Sequence, residues 1–204
     1  MPTSPASPLD WADETLLADR EAGLLRRLRR REGGSGLRCT VDGSQVVVFS
    51  SNDYLGLATH PAVREAASRA ALDVGVGATG SRHLSGCHGA IADLEEALAG
   101  FLGAPTATVA PSGYAANVAL LEALGGPDAT ILSDAGNHAS LIDGCRASRS
   151  RVAVYRHLDG ADLEARLAGA EGRTIIVTDS VFSMDGAEAD LVTFDRLEIG
   201  RAHV

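Results

Sequence analysis

From Ala90 onward the apolar positions switch repeatedly between two periods. "AIADLEEALAGFLG", "YAANVALLEALG", "HASLIDGCRAS" and "ADLEARLAG" carry them at the three- and four-residue spacing of a helix, while "TATVA", "TILSD", "RVAVYR" and "RTIIVTD" are short β-branched runs. Strands alternating with helices predict an α/β fold, a parallel-rich sheet flanked by helices. Such sheets bind ligands at the C-terminal ends of their strands. Upstream, residues from about 9 to 31 predict one helix with Leu16, Leu17, Leu24, Leu25 and Leu28 as its apolar stripe, ended by "GGSG" at 33–36. "LRCTVDGSQVVVFS" predicts a hairpin about Asp42-Gly43, and "HPAVREAASRAALDV" a helix with Pro61 at its first position. The expected organisation is a helix-and-hairpin segment over 1–60 and the first part of a large α/β domain over 61–197. The last residues, 198–204, "EIGRAHV", break the amphipathic pattern begun by "DLVTFDRL" and fit the translation of a common sequencing adapter, so a non-native tail is expected there.

Gly75, Gly77 and Gly80 in "DVGVGATGSRHLSG" have the G-x-G-x-x-G spacing of a dinucleotide site. That motif works only between a strand and an immediately following helix, and here a helical pattern precedes the glycines. A close-approach loop is expected instead. Composition narrows the function further. Eighteen basic against 27 acidic residues give a net charge of −9, which argues against general nucleic-acid binding. No apolar run approaches the ~20 residues of a membrane span, and "MPTSPASPLDWADE" lacks a secretory pattern. Cys39, Cys87 and Cys145 are scattered, and the six histidines form no ligand cluster, so a cytoplasmic protein without a metal site is expected. All eighteen basic residues are arginine; the chain has no lysine.

Four strand-end junctions carry candidate chemistry: "APSGY", "SDAGNHAS", "YRHLDG" and "TDSVFSMDG". Ser112 can cap a helix while the amides of Gly113 and Tyr114 face outward, a site for a phosphate as well as an ordinary cap. His138, with Asn137 as the expected cap, opens the next helix at the same edge; Asp179 and Ser183 follow the last strand there. Each of these taken singly also suits a solvated histidine or a turn cap. Likewise the Arg26–Arg31 cluster reads either as a solvated helix end or as a docking site for an anion. Together, a helix-end phosphate site, an imidazole and a hydroxyl-bearing turn suggest a phosphorylated aromatic cofactor.

In order along the chain, "FSSNDYLGLATHP", "GATGSRHLSG", "PSGYAAN", "NHASLIDG" and "VTDSVFSMDG" resemble the motifs of the α-oxoamine synthases. That resemblance implies the PLP-dependent transferase fold of aspartate aminotransferase type I, pyridoxal 5'-phosphate as cofactor, a homodimer, and an acyltransferase that joins an amino acid to an acyl thioester with loss of CO2. Within the family the motifs are most similar to members using L-alanine and pimeloyl-CoA, or its carrier-protein equivalent, in biotin biosynthesis. Glycine-using relatives are the alternative.

The family roles fall on matching positions. Gly113 and Tyr114 match a cofactor-contacting pair beside Ser112, and His138 a catalytic imidazole that stacks on the pyridine ring and lies against the substrate. Asp179 and Ser183 fall in the motif near the cofactor, Asn52 on an asparagine near the amino-acid carboxylate, and Arg26 on an arginine that meets the acyl substrate. Ile91 stands where the family usually has a histidine. The family also holds its cofactor through a lysine, expected beyond residue 197, so an inactive fragment is the reading from a different function class.

Overall fold

A computed structural model describes residues 9–34 and 36–199; the expected tail from Gly200 onward lies outside the described residues. The chain divides into two compact units, Met1–Thr79 and Gly80–Val204.

In the first unit α1 spans Asp10–Glu21. The helix expected to reach residue 31 stops ten residues early. Gly23 takes φ +70°, a conformation that ends an α-helix, and residues 24–30 run without helical structure. The leucine stripe is consequently uncovered, with Leu16, Leu17, Leu24 and Leu28 all exposed. β1 (Arg31–Glu32), β2 (Arg38–Val41) and β3 (Ser44–Val47) form an antiparallel sheet in that order. The β2–β3 hairpin turns at Asp42 and Gly43, φ +49° and +80°, which sets Val41 opposite Ser44. Two helices' worth of sequence later, α2 (Pro61–Val74) begins where His60 accepts the Ala62 N–H and Pro61 needs no partner. Gly75 and Gly77 follow at φ +85° and +80°, so the glycine motif leaves a helix and opens no strand-to-helix phosphate turn.

The second unit contains α3 (Arg82–Ser85), α4 (Gly89–Leu102), α5 (Gly113–Leu124), β4 (Ala129–Asp134), α6 (Ala139–Ala147), β5 (Arg151–Tyr155), α7 (Gly160–Ala168), β6 (Arg173–Val177) and α8 (Leu191–Ile199). Its sheet is parallel with order β5-β4-β6, and Ile131 pairs with Val152 on one side and Ile175 on the other. Every residue of β4 is buried, as a central strand covered on both faces requires. Strand alternation sorts its side chains. Ile131 packs with Leu121, Cys145 and Val177 beneath α5 and α6, whereas Leu132 packs with Tyr155, Leu163, Leu167 and Phe194 beneath α7 and α8.

The expected strand "TATVA" is absent among the described residues. β-Propensity alone does not make a strand, and this segment pairs with none of β4, β5 and β6. The segment is tied down differently: the Val109 N–H donates to Glu95 at 2.8 Å, and Glu95 also takes both guanidinium arms of Arg82, at 2.7 and 2.9 Å. No helix among the described residues is long and apolar enough to cross a membrane.

α5 and α6 cross at Gly144, where a Cβ would stand 2.8 Å from Leu121 Cδ1 and 3.2 Å from the Asn117 carbonyl oxygen. Gly144→Ala is therefore expected to destabilise by about 1–3 kcal/mol through overpacking. Gly100, exposed in α4 with open space around it, is the opposite case: Gly100→Ala should stabilise by about 0.4–1 kcal/mol by stiffening the unfolded chain. Denaturant unfolding of the two variants checks the opposite signs.

Candidate active site

α5 ends just before β4 begins, so it runs back across the sheet and its N-terminus stands at the edge where β4 finishes. Ser112 Oγ caps it, accepting the Ala115 N–H at 3.1 Å. The amides of Gly113 and Tyr114 are left without a partner among the described residues. Two free first-turn N–H groups at the positive end of a helix favour an anion. Tyr114 reaches sideways from this turn, its phenol donating to Asp143 on α6. Asp143 pushes the phenol upward, while that bond, assisted by Arg146 at 3.1 Å, holds the Asp143 carboxyl below its ordinary range.

α6 starts at the same edge. Asn137, expected as its cap, is instead buried and bridges strands: its Nδ2 donates to the Val177 carbonyl at 2.8 Å and to Ser133 Oγ at 3.0 Å, and its Oδ1 accepts the Asp179 N–H at 3.1 Å. The cap is His138. Its Nδ1 accepts the Ser140 N–H at 3.2 Å and lies 2.8 Å from Ser140 Oγ, which itself accepts from Asn117 Nδ2 at 2.9 Å. With the hydroxyl's lone pairs facing Asn117 and its proton free to turn toward the ring, Nδ1 acts as the acceptor and the neutral ring carries its proton on Nε2. The His138 N–H donates to Asp179 Oδ2 at 2.9 Å, which joins the two sequence candidates directly.

Ser183 lies in the turn after β6, exposed, its hydroxyl without a partner among the described residues. The same turn carries Phe182 and Asp185, which flank His157; Asp134, at the end of β4, holds the other side of that ring at 2.7 Å. Arg26 and Asn52 belong to the first unit, where both are exposed. Ser112, Gly113, Tyr114, His138 and Asp179 thus gather at one sheet edge. Sequence reading passed over Asn117, Ser140, Asp143 and His157. The junction "YRHLDG" was the signal for His157, but the α5–α6 pairings depend on a helix crossing that no local spacing encodes.

A family model described as aminotransferase class I and II matches residues 44–203. The chain is 48% identical over 186 residues to an 8-amino-7-oxononanoate synthase of Mycobacterium sp. (strain JLS), covering 91% of this chain and 46% of that protein. To the 8-amino-7-oxononanoate synthase of Burkholderia cenocepacia it is 51% identical over 181 residues, 86% of this chain and again 46% of the relative. The chain therefore spans about half the length of the curated relatives it matches. Among solved structures, Sphingomonas wittichii serine palmitoyltransferase superposes with a TM-score of 0.87 at 30% identity, covering 96% of this chain and 51% of that one. A structure of SPT with its PLP internal aldimine gives the same TM-score, 0.87, at 26% identity, covering 96% and 51%. The fold is that of the PLP-dependent transferases, as the motifs imply.

Tyr114→Phe removes the hydrogen bond that most depresses Asp143, so the Asp143 titration midpoint should rise toward the ordinary carboxylate range. A carboxyl depressed in the folded state stabilises above the ordinary midpoint and loses that contribution as pH falls through its own lower one. In the variant that contribution is smaller, and its loss is complete at a higher pH. Carbon-13 NMR of the Asp143 carboxyl against pH checks the direction.

Proposed function

The chain belongs to the aminotransferase class I and II family, and from that premise we propose that it is the N-terminal part of a pyridoxal-phosphate-dependent α-oxoamine synthase acting on L-alanine and a pimeloyl thioester. The products are 8-amino-7-oxononanoate, CO2 and the free acyl carrier, coenzyme A or a carrier protein, and the enzyme works as a cytoplasmic homodimer. The observation that carries the reading is the strand-edge cluster: free α5 amides at the same edge as the helix-capping imidazole of His138, whose backbone N–H is fixed to Asp179.

These residues fit the cofactor. Two unpaired N–H groups at Gly113 and Tyr114, with the Ser112 hydroxyl beside them, suit a phosphate dianion. The imidazole of His138 is held at Nδ1 and offers a ring face and an Nε2 proton, which suits stacking on a pyridine ring and passing a proton to substrate. The unengaged Ser183 hydroxyl suits a bond to a ring oxygen. Asp179 orients His138 through its backbone N–H. For Asn52 and Arg26 the support is motif resemblance, to the amino-acid carboxylate and the acyl end respectively. When bound, PLP supplies the electron sink that stabilises negative charge at the amino-acid α-carbon. His138 would orient the ring and hold the proton at Nε2, and the α5 turn would anchor the phosphate end.

One observation favours a second reading for the 204 residues alone. They contain no lysine, hence no side-chain amine for covalent attachment of the cofactor, and on this second reading they would be inactive by themselves.

Two measurements separate these readings. The whole protein should release coenzyme A from pimeloyl-CoA faster with L-alanine than with glycine; equal or faster release with glycine would replace the substrate assignment with a glycine-using one. The 204-residue chain mixed with PLP and reduced with borohydride should show no pyridoxyl adduct at any internal residue by mass spectrometry. A stoichiometric internal adduct would overturn the fragment reading.

A further inference from the structure

Outside the cluster just described, Asp134, the last residue of β4, is a carboxyl buried to 1% exposure. A buried carboxylate needs hydrogen-bond donors, and three converge on it: the Gly136 N–H at 2.7 Å, the Leu158 N–H at 2.9 Å and His157 Nδ1 at 2.7 Å. The backbone bends to deliver them. Leu158 sits at φ +56°, a left-handed conformation that side chains such as leucine rarely take. At Gly136 an added Cβ would fall 2.5 Å from His157 Nδ1, so the ring occupies the space of a missing side chain.

The far side of the same ring meets the turn after β6. Phe182, 4% exposed, lies edge-on to it at 4.4 Å between centroids and 88° between planes, and Asp185 Oδ2 is 3.6 Å from His157 Nε2. That turn is closed by its own backbone, with Phe182 N–H to Ala187 O at 2.8 Å, Gly186 N–H to Phe182 O at 2.8 Å and Ala189 N–H to Ser180 O at 3.0 Å. Ser183 falls between the two residues that touch the histidine.

We propose that His157 is a positioning residue: gripped by Asp134 on one side, it holds Phe182 and Asp185 on the other and so fixes the turn that presents Ser183 to the cofactor. The role of Ser183 rests on the proposed function; the grip on the turn does not.

The charged groups facing His157 are Asp134 from β4 and Asp185 from the turn, while neighbouring Arg156 is engaged by Asp159 at 2.8 Å at the start of α7. The Asp134 hydrogen bond raises the imidazole's affinity for its second proton, with Asp185 adding to it. Because Nδ1–H stays on Asp134 in the neutral ring, the titrating proton is the one on Nε2, toward Asp185. A group raised in this way stabilises fully below the ordinary imidazole midpoint and loses that contribution as pH rises through its folded one. The turn is held more tightly at low pH.

Amide hydrogen exchange in the cofactor-free whole protein reads this directly, as protection of Phe182, Gly186 and Ala189 corrected for intrinsic rates at each pH. In His157→Asn the amide can still donate to Asp134 but falls short of Asp185, and protection of the three amides should drop roughly three- to tenfold while β4 keeps its own. Asp185→Asn, whose side-chain oxygen can still take the Ala187 N–H (3.0 Å), should lose only the low-pH excess and flatten the pH profile. Wild-type protection with an unchanged pH profile in both variants, or an equal loss across β4 and the turn in His157→Asn, would overturn the proposal. No step of this readout involves PLP, so a protein that failed to bind the cofactor would sink the proposed function and leave the clamp standing.

Discussion

The side-chain amide of Asn137, 5% exposed, spends its hydrogen bonds on two neighbouring strands: Ser133 in β4, the Val177 carbonyl at the end of β6, and the Asp179 N–H just beyond it. The strand-edge chemistry depends on this bridge. It sets the β4–α6 turn against the end of β6, and the next residue, His138, therefore finds the Asp179 carboxylate with its backbone N–H at 2.9 Å. An apolar replacement would leave buried donors and acceptors unpaired, each at a cost of about 1–3 kcal/mol, on the two segments whose mutual placement aims the imidazole. A polar residue in a turn is usually interchangeable; this one is not, because its partners belong to different elements.

What could be read from the sequence divides along the same line. β4, β5, β6 and the helices between them follow from periodicity, since each element's pattern reports which of its faces will be covered. Ser112 is legible because a cap's side-chain oxygen accepts an N–H only three residues on. Asn137 is the expected cap of α6 because asparagine caps are the common case, and only the β6 partners, 40 residues away, withdraw its amide for other duty. The leucine stripe of α1 continues past Gly23 in sequence, but the helical backbone ends before it. "TATVA" has the composition of a strand but joins no ladder among the described residues. Tyr114 and Asp143, 29 residues apart, meet only because α5 and α6 cross at a glycine.

Burial is uneven in a way that bears on the proposed reading. Cys39 is the only buried apolar side chain among the described residues of the first unit, where Leu28, Phe49 and Tyr54 are almost fully exposed. In the second unit β4 is covered on both faces, but β5 is covered on one: Tyr155 packs under α7 and α8 while Val152 and Val154 stay open. Open apolar faces of this kind mark contact surfaces. In a chain spanning 46% of its relatives, they are where the proposed reading places the remainder of the subunit and its partner.

The eighteen arginines sharpen what these residues can do unaided. A guanidinium stays protonated at any working pH, so arginine supplies charge and a fork of donors but never a neutral amine. The chain uses that fork structurally: Arg82 grips Glu95 with two arms, and Arg29 holds Asp42 at the hairpin turn. The remaining equipment at the sheet edge consists of amide N–H groups, the capping imidazole of His138, the Asp179 carboxylate and hydroxyls, none of which forms a stable bond to an aldehyde carbon. Holding the phosphate end and orienting the ring are thus physically separable from bonding the cofactor, because the first two need fixed dipoles at a helix terminus and the third needs a primary amine. On the proposed reading these residues contribute placement, through the α5 turn, and a proton-bearing Nε2 on His138.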